Sequence, residues 1–244
     1  MTHVFLAGAS GAIGRPLCRL LVEAGYHVTG ATRVPEKAEA LRNLGVTPVV
    51  VDVFDAAALR RAVTAAHPDI VIHQLTDLPP GLDPKLMDAA RARNARLRVE
   101  GTRNLVAAAV AAGATRFIAQ SIAFVYAPGP KPWTEEMELH TDAPDPLGAS
   151  ARAVENLEEQ VLESPLESVI LRYGKLYGPG TGFDVPPPEG PVHVDDAAHA
   201  ALLAVRRGSG IYNIAEDDGT VSCVRAARDL GWEPGFRLNE VLSG

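Results

Sequence analysis

Glycines stand at Gly8, Gly11 and Gly14, with Ser10, Ala12 and Ile13 among them, directly after the apolar run Val4–Ala7. Directly beyond lies the helical spacing of Ile13, Leu17, Leu20 and Leu21. Glycines in this order let a chain turn tightly, approach a pyrophosphate with its backbone and pack a helix closely on a sheet. The N–H groups of such a turn and the positive end of the helix dipole then hold the anion. A glycine trio alone is a weak signal. At the first strand-helix junction of a strand-helix-strand unit it predicts a dinucleotide site. The expected phosphate cradle is Gly8, Ser10, Gly11, Ala12, Ile13 and Gly14, and the plain alternative is a glycine-rich turn with no ligand.

The end of the second strand selects the nucleotide. An Asp or Glu there would accept hydrogen bonds from a ribose 2′-hydroxyl and favour NAD. This chain offers Thr32-Arg33, with Lys37 a turn later. A guanidinium in that place can pair bidentately with a 2′-phosphate, so NADP is the expected cofactor, with NAD as the alternative. Arg33 also reads as an ordinary solvated surface arginine. Asp52, after the third strand, is placed either to meet the adenine edge or to cap a helix. Val53 and Gln74, the latter directly after the strand Ile70–His73, complete the expected cofactor set.

These residues need a scaffold, and the periodicity supplies one. Val4–Ala7, His27–Ala31, Val46–Val53 and Ile70–His73 read as strands, with helices over Ile13–Ala24, Pro35–Leu44 and Ala56–Ala66, the last capped by Asp55. A long helix is expected from Pro84 to Ala112, then a strand Arg116–Ser121. Tyr126–Pro146 reads as a loop over the sheet edge. Helix Ala149–Leu162, strand Ser168–Arg172, a Gly/Pro-rich loop Gly178–Pro191, helix Asp195–Arg207 and strand Gly210–Ile214 follow. Such alternation predicts an α/β fold, a Rossmann-type doubly wound parallel sheet with right-handed crossovers. No repeat and no long linker divides the 244 residues, so residues 1–244 are expected to form a single dinucleotide-binding domain. A small substrate-side elaboration is expected from residues 174–194 and 208–244.

Composition agrees with that class. Apolar residues make up 47% and charged residues 22%, a globular balance that argues against disorder. No run of eighteen apolar residues exists to span a membrane, and Met1-Thr2-His3 leads straight into Val4 with neither basic region nor cleavage site. Cys18 and Cys223 form no disulfide framework or metal pattern, so the expectation is a cytoplasmic protein. The net charge of −7 argues against nucleic acid as a partner, and a small-molecule substrate is expected instead.

Gly8–Gly14, Val51-Asp52-Val53, Gly101-Thr102-Arg103-Asn104-Leu105, Ser121–Tyr126, Leu171-Arg172-Tyr173, Leu176-Tyr177-Gly178-Pro179-Gly180 and Val192-His193-Val194-Asp195-Asp196 occur in this order over nearly the whole chain. Together they resemble the extended, epimerase/dehydratase-like branch of the short-chain dehydrogenase/reductase superfamily. The resemblance implies hydride transfer at a nicotinamide, with a proton moved by a Tyr that a Lys four residues on activates. Leu147 falls at the Tyr position and Ala151 at the Lys position. The Ser position is Ile122, with Ser121 one place earlier, and the Asn position is Arg98. The groups left to handle a proton are Tyr126 and Tyr173, with Ser121 to align the reacting oxygen; Tyr177, Lys175 and His193 border the same cleft in the resembling fold. Tyr side chains more often pack with one hydrogen bond, and Asp195 reads as a helix cap.

Arg91, Arg93, Arg96, Arg98 and Arg103 crowd one helical stretch. They read either as a solvated face balanced by Asp88 and Glu100 or, at Arg98, as a contact to an anionic substrate or cofactor phosphate. The short loop Gly180–Pro191 predicts an open cleft. A homodimer through Pro84–Ala112 and Ala149–Leu162 is what the resemblance implies. Two functions follow: an NADP-dependent oxidoreductase or epimerase acting on a small carbonyl or hydroxyl compound with a non-standard proton donor, or a catalytically silent NADP(H)-binding sensor. Turnover separates them.

Overall fold

A computed structural model describes residues 1–238; residues 239–244, the end of the expected C-terminal elaboration, lie outside the described residues. The strands are β1 (His3–Ala7), β2 (His27–Thr32), β3 (Thr47–Val50), β4 (Ile70–His73), β5 (Arg116–Ile122), β6 (Glu167–Tyr173), β7 (Lys175–Tyr177), β8 (Pro191–His193) and β9 (Gly210–Ile214). All but β7 and β8 form one sheet in the order β3-β2-β1-β4-β5-β6-β9, parallel throughout, which is the doubly wound arrangement. β7 and β8 pair separately beyond its carboxyl edge.

Alternation along β1 explains the two cores. Val4 and Leu6 face α1 (Gly14–Glu23) and α7 (Val194–Ala204), where Leu17, Leu21, Ala197 and Ala201 are fully buried. Phe5 and Ala7 face α3 (Ala56–Ala66), α5 (Thr102–Ala111) and α6 (Leu147–Leu162) through Leu59, Leu105 and Leu157. Each buried Leu contributes about 1.5–3 kcal/mol, so this period-two pattern fixes the register of the central strands. Small alanines on α7 let it lie close to the sheet. No helix is long and apolar enough to cross a membrane among the described residues.

Several elements differ from the sequence reading. The third strand is shorter than Val46–Val53 and only half-buried, because β3 is an edge strand with one neighbour. The region from Pro35 divides into a 3-10 turn, Pro35–Lys37, and the short α2 (Ala38–Arg42). The long central helix is a 3-10 turn (Pro84–Leu86), α4 (Met87–Arg96), a π-helical turn (Leu97–Gly101) and α5. The wide turn brings Gly101 against Val53, where a Cβ would meet Leu97 Cδ1 at 2.9 Å and Val53 Cγ1 at 3.3 Å. α7 is capped by His193 rather than Asp195: the Asp195 N–H donates to the imidazole Nδ1 at 3.2 Å. Asp195 and the fully buried Asp196 instead accept from the backbone of Gly235, Phe236 and Leu238, tying down the segment after α8 (Val224–Leu230).

Candidate active site

The sheet order reverses direction between β1 and β4, and in open α/β sheets ligands bind at the carboxyl ends of strands at such a switch point. The glycine turn lies there. Gly8 has φ +89°, and a Cβ on it would stand 2.4 Å from the Gln74 carbonyl oxygen. A Cβ on Gly14 would stand 2.1 Å from the Gly8 oxygen, so helix and turn meet at backbone contact. Gly11 N–H donates to Gly8 O at 3.0 Å. Among the described residues no acceptor takes the N–H groups of Ala12, Ile13 or Gly14, and the first turn of α1 has neither a side-chain cap nor an acid. These open donors at a helix N-terminus match a pyrophosphate. Gln74 adds a buried amide whose Oε1 has no partner among the described residues. The residues present therefore fit a nicotinamide dinucleotide, held by the turn and by Gln74.

The adenosine side is built by side chains that hold backbone. Ser10 Oγ and Thr32 Oγ1 lie 3.1 Å apart, joining the glycine turn to β2. Asp52 accepts from Phe54 N–H at 2.9 Å, and Asn104 donates to the Val53 carbonyl at 2.9 Å. Gly101, Thr102 and Asn104 thus serve the Val53 loop and β4 rather than the reaction itself. Arg33 leaves β2 and meets Asp77 at 2.9 Å, while Arg93 approaches the other Asp77 oxygen at 3.3 Å. The hydrogen bond from Arg33 holds the Asp77 carboxyl below its ordinary range. Two guanidiniums share one carboxylate there, and the cluster keeps a positive charge.

At the ends of β4, β5 and β6 the polar groups turn inward. His73 is buried and its pKa falls to about 4, first through burial and then through the nearby Arg98. Leu75 N–H donates to its Nδ1 at 3.2 Å, which leaves Nε2–H to donate to Thr102 Oγ1 at 3.1 Å. Tyr173, 2% exposed, accepts from Gln74 Nε2 at 3.1 Å, and burial raises its pKa. Ser121 donates to Glu158 at 2.6 Å. Glu158 in turn takes both Arg172 Nε and Nη2, at 2.9 and 2.6 Å. Arg172 Nη1 donates to Tyr126 Oη at 2.8 Å, and Tyr126 donates to Asn213 Oδ1 at 2.7 Å. Ser121 and Tyr126 thus belong to one buried network, and Tyr173 belongs to another. Burial raises the Tyr126 hydroxyl pKa as well. This network was beyond sequence reasoning because its hydrogen-bonded partners lie 14 to 87 residues apart. Its one local signal is Glu158, a carboxylate on the apolar stripe of α6 beside Leu157 and Val161.

The positions that the resemblance assigns to Ser and Lys are packed together in one apolar cluster. Ile122 and Ala151 share an apolar cluster with Val125 and Val154. Leu147 opens α6 with 42% exposure. Lys175 turns away from Tyr173, because Gly174 separates β6 from β7 and the ammonium donates to the Pro188 carbonyl at 2.8 Å. Tyr177 donates to Glu216 at 2.6 Å, and His193 packs edge-on against its ring. The loop after β7 runs close to both walls of the cleft. A Cβ on Gly180 would come within 4.0 Å of Ala12 Cα, and one on Gly182 would stand 2.4 Å from Leu82 Cγ. It thus covers the glycine turn and reaches the segment after β4. A depression of about 500 Å³ lies at the opposite, amino-terminal edge of the sheet, where Arg116 and Glu167 pair with each other.

Comparison with known proteins agrees with this geometry. The NAD(P)H-binding family model matches residues 8–206. A Streptomyces protein named 3-diazoavenalumate denitrifying reductase is 43% identical over 272 aligned positions, covering 99% of this chain and 86% of its own. A 3-beta-hydroxysteroid dehydrogenase of Mycolicibacterium neoaurum is 34% identical over 48% of this chain and 31% of its own. Among solved structures, the UDP-glucose 4-epimerase of Thermotoga maritima superposes with a TM-score of 0.76 at 19% identity, covering 98% of this chain and 96% of its own. The Bordetella bronchiseptica enzyme WbmH in complex with NAD+ gives 0.76 at 21% identity, covering 100% and 96%. The chain belongs to the NAD(P)H-binding family, as a nicotinamide-dependent protein of the oxidoreductase and epimerase class built on the epimerase/dehydratase-type Rossmann fold.

Proposed function

We propose that this protein is an NADPH-dependent reductase whose acceptor is a diazo compound rather than a carbonyl. One observation carries the reading. The cradle for the cofactor is complete, while the place for a proton donor is apolar, with Ile122 and Ala151 in one cluster and Leu147 at the head of α6. The hydroxyls of Tyr126 and Tyr173 are buried and already hydrogen-bonded. The nicotinamide, when bound, supplies a hydride. A carbonyl that accepts hydride needs a proton on oxygen, whereas a diazonium that accepts hydride forms a C–H bond and releases dinitrogen with the former C–N electron pair. For the cationic diazonium form no proton enters that balance, and for a neutral diazo form the anion left behind takes its proton from solvent after dinitrogen has gone. Substitution of the Tyr and Lys positions by Leu147 and Ala151 is then compatible with turnover. The Streptomyces relative, named for denitrifying reduction of 3-diazoavenalumate, supports the same acceptor class.

The chain's own residues bind and orient. The open N–H groups of Ala12, Ile13 and Gly14 take the pyrophosphate, Gln74 faces the cofactor with its free Oε1, and the loop Gly178–Gly182 limits water. NADPH is favoured over NADH because Arg33 and Arg93 give a net positive cluster where an acid would select the 2′-hydroxyl. The test is incubation with NADPH deuterated at the transferring position and 3-diazoavenalumate. NADPH oxidation matched by dinitrogen release, with deuterium in the product, is expected. Oxidation of NADPH only with carbonyl acceptors would overturn the reading, and binding without turnover of either would favour a silent sensor.

A further inference from the structure

We infer that Arg98, with Ser150, forms a subsite for an anionic group of the acceptor, a carboxylate on an organic molecule. The inference rests on the reductase reading for the identity of the reaction, but not for the binding it predicts. Arg98 sits on the π-helical turn Leu97–Gly101 and reaches α6, where its Nη1 donates to Ser150 Oγ at 3.0 Å. That bond is the one side-chain contact its five donor hydrogens make among the described residues, and no carboxylate lies within ion-pair distance of it.

The other buried or half-buried guanidiniums show how unusual this is. Arg172 holds Glu158 at 2.6 Å, Arg237 holds Asp196 at 2.7 Å and Arg116 holds Glu167 at 3.0 Å. Glu158, the acid close enough to influence Arg98, already takes Arg172 and Ser121 on its oxygens. Arg98 is half-buried with donors left open, and a bound carboxylate supplies the missing charge in bidentate geometry. His73, the titratable group on the neighbouring strand end, is neutral and offers no such charge.

Position gives the subsite its chemistry. Ser150 precedes Ala151, and Leu147 lies one turn before Ser150 on the same face of α6. The exposed apolar Leu147 therefore lies one helical turn from the serine that Arg98 holds. That pairing suits an amphiphilic organic acid. A neutral sugar hydroxyl would leave the charge unmatched.

The experiment uses the full chain saturated with NADP+, and two unreactive probes of equal shape, cinnamate and cinnamamide, measured by calorimetry. Cinnamate is expected to bind about tenfold or more tightly than the amide. Arg98→Gln should remove that preference while leaving cinnamamide and NADPH affinities unchanged, and Arg98→Lys should restore part of it. Unchanged NADPH binding also shows that the variant is folded. Equal binding of the two probes by the unmodified protein would overturn the proposal. So would an Arg98→Gln variant that loses NADPH affinity by the same factor as cinnamate, since Arg98 would then serve the cofactor. Failure of diazo turnover with the carboxylate preference intact would sink the reductase reading alone.

Discussion

Two halves of one cleft follow opposite rules. On the glycine-turn side, backbone groups are left open: the N–H groups of Ala12, Ile13 and Gly14 have no acceptor among the described residues, and Gly8 and Gly14 pack at distances no side chain would permit. On the side of β5 and α6, the buried charged and hydroxyl groups are consumed by one another. Ser121, Glu158, Arg172, Tyr126 and Asn213 satisfy one another, and Ile122 and Ala151 pack as hydrocarbon. The contrast teaches that cofactor binding and proton transfer are separable parts of this fold. Open donors prepare a site for an anion, whereas closed networks hold structure.

Breaking the closed network should have the largest effect. Arg172→Leu leaves Glu158 as a buried, unpaired carboxylate, and loss of one partner of such a pair costs about 3–5 kcal/mol. Urea unfolding should show that loss, with NADPH affinity of the folded protein unchanged; a loss of affinity without a loss of stability would place the network in the site. His73 gives the next effect, at the boundary of the halves. Its pKa in the folded chain is about 4 against an ordinary value near 6.5, so the unfolded chain binds the proton first as pH falls. The associated stability, about 3 kcal/mol, is full above pH 6.5 and is lost as pH drops towards 4. Burial also lowers the pKa values of His3, His193 and His199, so the test is a difference. His73→Asn, which keeps an acceptor for Leu75 N–H, should flatten the pH dependence of unfolding in this window.

Much of the first half was legible in the sequence. Glycine spacing, the Asp55 cap and the period-two apolar strands are local signals, and they placed the turn, α3 and the central sheet. The π-helical turn was not legible, because it packs Gly101 against Val53, nearly fifty residues earlier in the chain. Nor was the fate of the tyrosines. Tyr126 and Tyr173 have the right residue type at the right strand ends, but Asn213 and Gln74 reach them from distant segments. The cap of α7 failed for a related reason: Asp195 and Asp196 are claimed by the backbone after α8, and His193 takes the capping task.

Smaller effects sharpen the contrast. Ala151→Lys forces an ammonium and four methylenes into the packing of Ile122, Val125 and Val154, and overpacking costs about 1–3 kcal/mol. Thermal unfolding should show this, with no gain in aldehyde reduction; such a gain would mean that the missing lysine alone separates this site from a carbonyl reductase. Arg33→Ala should weaken NADPH about tenfold while leaving NADH nearly unchanged, as read by cofactor fluorescence. Equal weakening of both would assign Arg33 to bracing Asp77 instead.

Hydride transfer without a proton donor can be read from the solvent isotope effect on a single turnover of 3-diazoavenalumate with NADPH, measured in H2O and D2O at matched acidity. The same rate is expected in both solvents, since no proton moves with the hydride. A severalfold slower reaction in D2O would contradict it and place a proton donor in the site.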